Sequence, residues 1–496
     1  MHNVITRRVI TNNVALPDDI HPVLRRVYNM RNIKSATELD YSLSGLLPYQ
    51  SLLGIGQAVE LLAKGLAENK RFLIVADFDA DGATSCALAV CGLKLMGAID
   101  VHYVVPNRFE YGYGLSPEIV EVAAQHKPDI LITVDNGISS IEGVKLARSK
   151  NIDVLITDHH LPGDQLPNAN AIVNPNQKND GSPGKCLAGV GVMFYVLVAL
   201  RAWLREQDWF VGKGMEDPNL AVFLDLVALG TVADVVPLDH SNRILVAQGL
   251  SRIRAGRCCP GIKALFQIAN RSLHRISTQD LAFAIGPRLN AAGRLTDMSL
   301  GIECLLSDNE QDARQLALHL DRLNKERREI QEDMQAQALE DIEALDLRDG
   351  RQMPAGLCLF NEEWHQGVIG ILASKIKDRL HRPVIAFARD NGGQLKGSAR
   401  SIPGVHIRDV FDSIATHTPG LITKFGGHAM AAGLSLNEAD LDKFSDYFDC
   451  AVKDLVSIDD LNGVFLTDGE MSGQELCLSL AEKISMGGPW GQAFPE

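Results

Sequence analysis

Three short runs of almost wholly apolar residues, 72–76, 130–134 and 154–157, each stop at an aspartate, and no other feature limits the fold so tightly. Such runs are too short for buried helices and too continuous for strands with one wet face. They read as central strands of a sheet covered on both sides. Two further runs, 101–105 and 171–173, share the pattern, and stretches of helical length lie between them at 83–96, 117–125 and 140–149. This strand–helix alternation predicts an α/β domain built on a parallel sheet.

The chain has 496 residues, more than one ordinary core holds, so two or three domains are expected. Residues 1–70 read as a mainly helical N-terminal segment. The charged run 321–347 has helical spacing and reads as a long exposed connector. A second, smaller α/β unit then begins, with strands at 356–360 and 383–388 and a helix at 367–379. The tail holds one strand candidate at 464–466, expected to be an unpaired edge, and one helix. The divisions expected are 1–70, 71–320, 321–350, 351–455 and 456–496.

Apolar residues make up 46% and charged residues 22%, so widespread disorder is not expected. The nine cysteines are odd in number and form no CxxC pair, which argues against a disulfide framework or a zinc site. A reduced, cytoplasmic setting is the expectation. The N-terminus has no h-region, and the apolar stretch 187–200 is too short and too glycine-interrupted to span a bilayer; it reads as a buried helix. The net charge of −14 argues against non-specific nucleic-acid binding by overall charge. A local basic groove remains open to the chain, because Arg243, Arg252, Arg254 and Arg257 form one cluster and Arg271, Arg275, Arg288 and Arg294 another. Lys325, Arg327 and Arg328 on the long helix read as a solvated face.

The strand ends carry the chemistry. The first run leads into Asp77-Phe78-Asp79-Ala80-Asp81-Gly82, the second into Asp135-Asn136-Gly137 and the third into Asp158-His159-His160. In open α/β sheets, ligands sit beyond the carboxyl ends of the strands. The pattern therefore gathers about five carboxylates and two imidazoles round one crevice. Like charges at that density call for divalent cations, and a carboxylate-rich set with histidine suits Mn²⁺ or Mg²⁺. A pair of such ions is the usual clamp for in-line attack at phosphorus. Asp234, at the end of another apolar run, is placed to join them. The Asp-x-Asp-x-Asp-Gly run also looks like the start of an EF-hand loop, but its twelfth position is Leu88 where a glutamate is needed. Asp135 alone reads equally as a helix cap.

These motifs together resemble the DHH phosphoesterase superfamily, and Gly426-Gly427-His428 followed by Ala429-Met430-Ala431-Ala432-Gly433 resembles its accessory DHHA1 domain. The segments 105–110, 286–294, 364–367 and 396–401 narrow the likeness to the RecJ family of single-stranded-DNA exonucleases, over nearly the whole chain. The resemblance implies a parallel-sheet DHH domain joined by a long helix to a smaller α/β DHHA1 domain. It implies 5′→3′ hydrolysis of single-stranded DNA to 5′-mononucleotides, in DNA repair and recombination. A helicase and a single-strand-binding protein are implied partners.

By the same resemblance Asp79, Asp135, His159 and Asp234 are the main metal ligands, with Asp77, Asp81 and Asp158 beside them, and His160 faces the scissile phosphate. Related pyrophosphatases carry a ligand histidine where Val75 stands here, and Asp77 is the expected replacement. Arg108, Ser398 and Arg400, the last two in a glycine-flanked loop, are expected to clasp the 5′ phosphate. An ion pair with Glu110 is the competing reading for Arg108. Arg288, Asn290 and Arg294 are candidates for strand contact or for hydrogen bonding between domains. His428 reads as a cleft residue or a structural cap, and Phe109, Tyr111 and Tyr113 as base-stacking or packing residues. Residues 487–496 resemble the entry to an OB-fold barrel, so most of that barrel is expected to be missing and long DNA to be held weakly. The alternatives are a phosphodiesterase for short oligonucleotides, cyclic dinucleotides or pyrophosphate, and a non-catalytic DNA-binding scaffold.

Overall fold

A computed structural model describes residues 4–10, 14–107, 114–349, 353–390, 392–457, 461 and 463–496. The chain divides into two compact units. The first comprises residues 9–324 and 470–496, and the second residues 1–8 and 325–469. No helix among the described residues is long and apolar enough to cross a membrane.

The opening residues form a strand, β1 (Val4–Arg7), where helix was expected. In the larger unit, β2 (Phe72–Ala76), β3 (Val101–Val104), β4 (Ile130–Val134), β5 (Asp153–Thr157) and β6 (Ala171–Val173) make one sheet in the order β3-β2-β4-β5-β6. Every pairing is parallel. The continuous apolar character of β2 and β4 follows from burial on both faces. Phe72, Ile74 and Ala76 join one core with Ile130, Ile132 and Val134, while Leu73 and Val75 face another with Leu131, Val154 and Ile156. Each fully buried aliphatic side chain of this kind contributes ~1.5–3 kcal/mol relative to exposure.

Helices cover both faces. Pro117–Gln125 begins at Ser116, whose hydroxyl accepts the Ile119 N–H, and carries proline in its first turn, the preferred entry for a helix. The stretch expected to be a buried helix is one, Gly189–Glu206. The helix Glu310–Asp349 begins earlier than expected and is not exposed throughout. Ala313, Ala317 and Leu320 are buried at helical spacing, and so is Arg327, against the expectation of a solvated face. Small alanines on the buried stripe made that stripe hard to see among the charges.

In the smaller unit, β7 (Leu357–Phe360), β8 (Val384–Arg389), β9 (Leu395–Arg400), β10 (Lys424–Gly427) and β11 (Ala431–Leu436) form a sheet ordered β10-β11-β9-β8-β7. Only β7 and β8 pair in parallel in this sheet. The strand β12 (Val464–Thr467) is not the unpaired edge expected, because β1 pairs with it in parallel from Val4 opposite Val464 to Arg7 opposite Thr467. The run Val4-Ile5-Thr6, three β-branched residues in succession, carried that signal.

The end of the chain packs into the larger unit. Trp490, Tyr28 and Phe494 form a cluster of three rings, with centroids 5.9 Å (Tyr28–Trp490), 5.2 Å (Trp490–Phe494) and 6.3 Å (Tyr28–Phe494) apart. Arg243 lies buried with its guanidinium 4.4 Å from the Phe494 ring and 3.2 Å from Glu38, so it is a packing residue and not part of a basic groove. Arg254 is likewise occupied, donating twice to the Ile276 carbonyl.

Candidate metal centre

The acids meet at the carboxyl edge of the larger sheet because each strand hands its last residue to a turn that the next strand fixes. The N–H of Asp77 donates to the Val134 carbonyl, that of Asp135 to Thr157, and that of Asp158 to Val173. Asn136 locks two of these ends together, donating to Val75 O at 3.1 Å and Val134 O at 2.9 Å. Asp135 itself takes a φ of +62°, the left-handed region that aspartate tolerates better than most residues.

Asp79 is the N-cap of the helix Ala80–Leu95 and accepts the Gly82 N–H at 3.0 Å. Asp81, in the first turn, accepts Gly189 N–H at 2.6 Å and Val190 N–H at 3.0 Å, and so caps the start of Gly189–Glu206. Gly189 has to be glycine on steric grounds, since a Cβ there would stand 2.6 Å from the Cβ of Asp135. Asp234 does not end a strand. It caps the C-terminus of the helix Leu224–Ala233.

The side chains converge. His159 Nε2 lies 3.1 Å from Asp135 Oδ1 and 3.4 Å from Asp234 Oδ2. Three sets each bring one ligand atom per residue within 4.8 Å of the others: Asp77, Asp79 and Asp135; Asp81, His159 and Asp234; and Asp135, His159 and His160. Burial and the Asp79 charge push Asp81 up to about 7. Burial, reinforced by the neighbouring carboxylates, holds Asp135 and Asp234 well above the ordinary range too. Carboxylates packed this closely, with an imidazole nitrogen aimed among them, fit a divalent cation bound by oxygen and nitrogen. Asp77 belongs to one of the three sets, and Val75, two residues before it, is buried.

Asp158 departs from the expected ligand role. Its buried carboxylate accepts the N–H groups of Ile138, His159 and His160 at 2.9, 2.7 and 3.1 Å, and His160 Nδ1 lies 2.8 Å from it. It therefore orients the His160 ring and holds the backbone of both histidines. Burial opposes charge on the His160 ring, but the Asp158 hydrogen bond and charge prevail and raise it to about 9. The same pairing, with the Ile138 and His160 N–H groups, holds Asp158 below its usual range despite burial.

Sequence reasoning missed several supports. Asn176 and Asn174 donate to the His159 and His160 carbonyls at 2.6 and 2.9 Å. They follow β6 as the acids follow their strands, which was the available signal. Asn290, expected to contact a strand or another domain, accepts the Ala80 N–H at 2.8 Å. It lies on Gly286–Leu295, which presses so close that a Cβ at Gly293 would fall 1.9 Å from the Phe78 carbonyl oxygen. Arg288 on the same helix is engaged by Asp321, at 2.9 and 2.8 Å, and by the Ala284 carbonyl. Arg294 is half-buried in the last turn.

In the smaller unit, Ser398 and Arg400 do not lie in a loop. They belong to β9, whose alternation buries Leu395, Gly397 and Ala399 and turns Lys396, Ser398 and Arg400 to the other face. The glycine and small residues hid this strand. Arg400 Nη1 lies 3.2 Å from Ser398 Oγ, and burial lowers the guanidinium from its usual value. Both face the start of the helix Ile369–Leu380, where a Cβ at Gly370 would meet Ser398 Oγ at 2.9 Å and Arg400 Nη2 at 3.0 Å. His428 is exposed in the turn between β10 and β11, its N–H donating to Ala431 O at 2.8 Å. Arg108, Phe109, Glu110, Tyr111 and Tyr113 lie outside the described residues.

Comparison with known proteins agrees with this geometry. Residues 71–231 match the DHH family N-terminal domain and residues 354–454 the DHHA1 domain. The single-stranded-DNA-specific exonuclease RecJ of Dickeya dadantii is 55% identical over 496 residues, covering all of this chain and 86% of that protein. The crystal structure of RecJ from Thermus thermophilus in complex with Mn²⁺ superposes with a TM-score of 0.80 at 29% identity, over 96% of this chain and 65% of that one. The same Thermus protein in complex with Mg²⁺ gives a TM-score of 0.74 at 28% identity, over 96% and 64%.

Proposed function

Because the chain belongs to the RecJ family, we infer that it is a single-stranded-DNA-specific exonuclease that hydrolyses phosphodiester bonds with Mn²⁺ or Mg²⁺ as cofactor. The observation that carries this reading is the convergence of Asp77, Asp79, Asp135, His159 and Asp234 at one sheet edge. These five side chains would hold the cation. The bound cation supplies an activated water and neutralises phosphoryl charge.

The remaining work falls to the chain's own groups. Asp135 Oδ1 and Asp234 Oδ2 stand 3.1 and 3.4 Å from His159 Nε2, close enough for the three atoms to share a cation. The Asp158 carboxylate, 2.8 Å from His160 Nδ1, orients the ring so that its other nitrogen can hydrogen-bond to the phosphate oxygens. Asn290 and the cap made by Asp79 hold the acidic turn in register. In the smaller unit, the Arg400 guanidinium, the Ser398 hydroxyl and the adjoining helix start suit a terminal phosphate. That anchor is the basis for 5′→3′ direction and release of 5′-mononucleotides. Arg108, Arg294 and His428 are further candidates for contact with the strand in this reading. Arg288, held by Asp321, serves the fold of its helix first. Residues 71–320 are taken as the catalytic domain and 351–455 as the accessory domain, and a helicase and a single-strand-binding protein are the partners such an activity would use.

The test is a Mn²⁺-supplemented digest of 5′-end-labelled oligonucleotides. Labelled mononucleotide from single strands, with duplex spared, is the expected result. Activity confined to dinucleotides or pyrophosphate would overturn the reading.

A further inference from the structure

A pocket of about 360 Å³ opens in the larger unit, walled in part by Val232, Ala233, Val235 and Val236, the residues on either side of Asp234. Val232, Val235, Ala282 and Phe283 line it, with the carboxamides of Gln279 and Gln492, and no acidic or basic side chain among the described residues does so. Two departures from regular backbone bring exposed apolar groups to it. Val235 takes a φ of +62°, a conformation that β-branched residues rarely adopt, and stands 60% exposed. Phe283 lies in a π-helical turn, Leu281–Ile285, of the kind often found at functional sites, and is 74% exposed. Ala233 and Val235, the chain neighbours of the metal-centre residue Asp234, both line the pocket, one Cα step of about 3.8 Å from it.

We propose that this pocket receives an unpaired nucleobase of the strand whose phosphate lies at the metal centre, with Phe283 as the stacking surface. The lining fits a base better than any charged group. A phosphate would find no cation in the pocket and belongs with the metal. A base offers a flat apolar face to Phe283, and its polar edges meet carboxamides that both donate and accept. Stacking is tolerant of sequence, as a general exonuclease requires. A base seated there has left any duplex, so the pocket also accounts for the preference for single strands. The proposal rests on the nuclease reading above and adds to it the place and origin of single-strand selectivity.

The experiment compares oligothymidylate with an abasic chain of the same length, Mn²⁺ present, for wild type, Phe283→Ala and Phe283→Trp. Phe283→Ala is expected to raise KM for oligothymidylate roughly 5- to 100-fold with a much smaller change in kcat. Phe283→Trp should restore it. On the abasic chain the wild type should already show the raised KM, and the alanine substitution should add nothing. An unchanged KM in Phe283→Ala, or an equal rise on both substrates, overturns the pocket assignment while leaving the nuclease standing. A wild type that degrades neither substrate overturns the nuclease reading and the pocket with it, a result visible before any substitution is made.

Discussion

The side-chain oxygen of Asn290 accepts the backbone N–H of Ala80 at 2.8 Å, so a helix 210 residues downstream holds the first turn that carries Asp79 and Asp81. Supports of this kind behind metal ligands typically matter ~10- to 100-fold. Asn290→Ala should raise the Mn²⁺ concentration for half-maximal activity by about that factor while the far-ultraviolet circular dichroism stays unchanged. An unaltered Mn²⁺ dependence would remove the helix Gly286–Leu295 from the account of the site.

Gly189 touches the same centre through space alone. A methyl group there would stand 2.6 Å from the Cβ and 2.7 Å from Oδ1 of Asp135. Gly189→Ala should therefore displace that carboxylate and weaken Mn²⁺ binding by at least ~10-fold, measured by calorimetry, although alanine is the better helix former. Undiminished binding would mean that Asp135 is not a ligand or that its turn yields easily.

Asp158 should behave as a structural residue as much as a functional one. Its carboxylate satisfies the N–H groups of Ile138, His159 and His160 and pairs with the His160 ring, all at a buried position. Removing one partner from a buried charged pair costs about 3–5 kcal/mol. Asp158→Ala should lower the urea midpoint accordingly, whereas Asp234→Ala should abolish activity with little loss of stability. Equal stability losses in the two variants would contradict the division of labour drawn here.

How much of this was legible follows from the physics of each element. The parallel sheet was, because β2, β4 and β5 are buried on both faces and read as unbroken apolar runs closed by aspartate. The convergence of Asp79, Asp135 and His159 followed from those ends. What escaped was written in residues with more than one meaning. In β9, Gly397 and Ala399 fill buried positions with small residues, so the strand read as a loop. Asp234 ends a helix whose all-round burial removes any periodicity. Asp158 belonged to the motif that marks the family, yet its carboxylate turns toward the backbone, and no spacing rule shows which way a side chain faces. Asn290 and Arg288 share a motif, but their partners, Ala80 and Asp321, are set only by tertiary packing.

Cation binding should also govern the pH dependence of stability. Asp81, pushed up to about 7, and Asp135 and Asp234, held well above their ordinary value, bind protons more tightly in the folded than in the unfolded protein. Without cation, the stability these three groups contribute is fully present below the unfolded carboxylate value near ~3.9 and is lost as pH rises through the folded values. A cation replaces those protons. The rise in Tm produced by Mn²⁺ should be larger at about pH 8 than at about pH 5, by scanning calorimetry against an EDTA control. A larger rise at the acid end would refute this linkage.

The most direct measurement is anomalous diffraction from a crystal of the protein soaked in Mn²⁺. Manganese should appear within about 2.1–2.3 Å of carboxylate oxygens of Asp79, Asp135 and Asp234 and of His159 Nε2. Manganese bound elsewhere, with those four side chains bare at saturating concentration, would contradict the metal centre and the nuclease built on it.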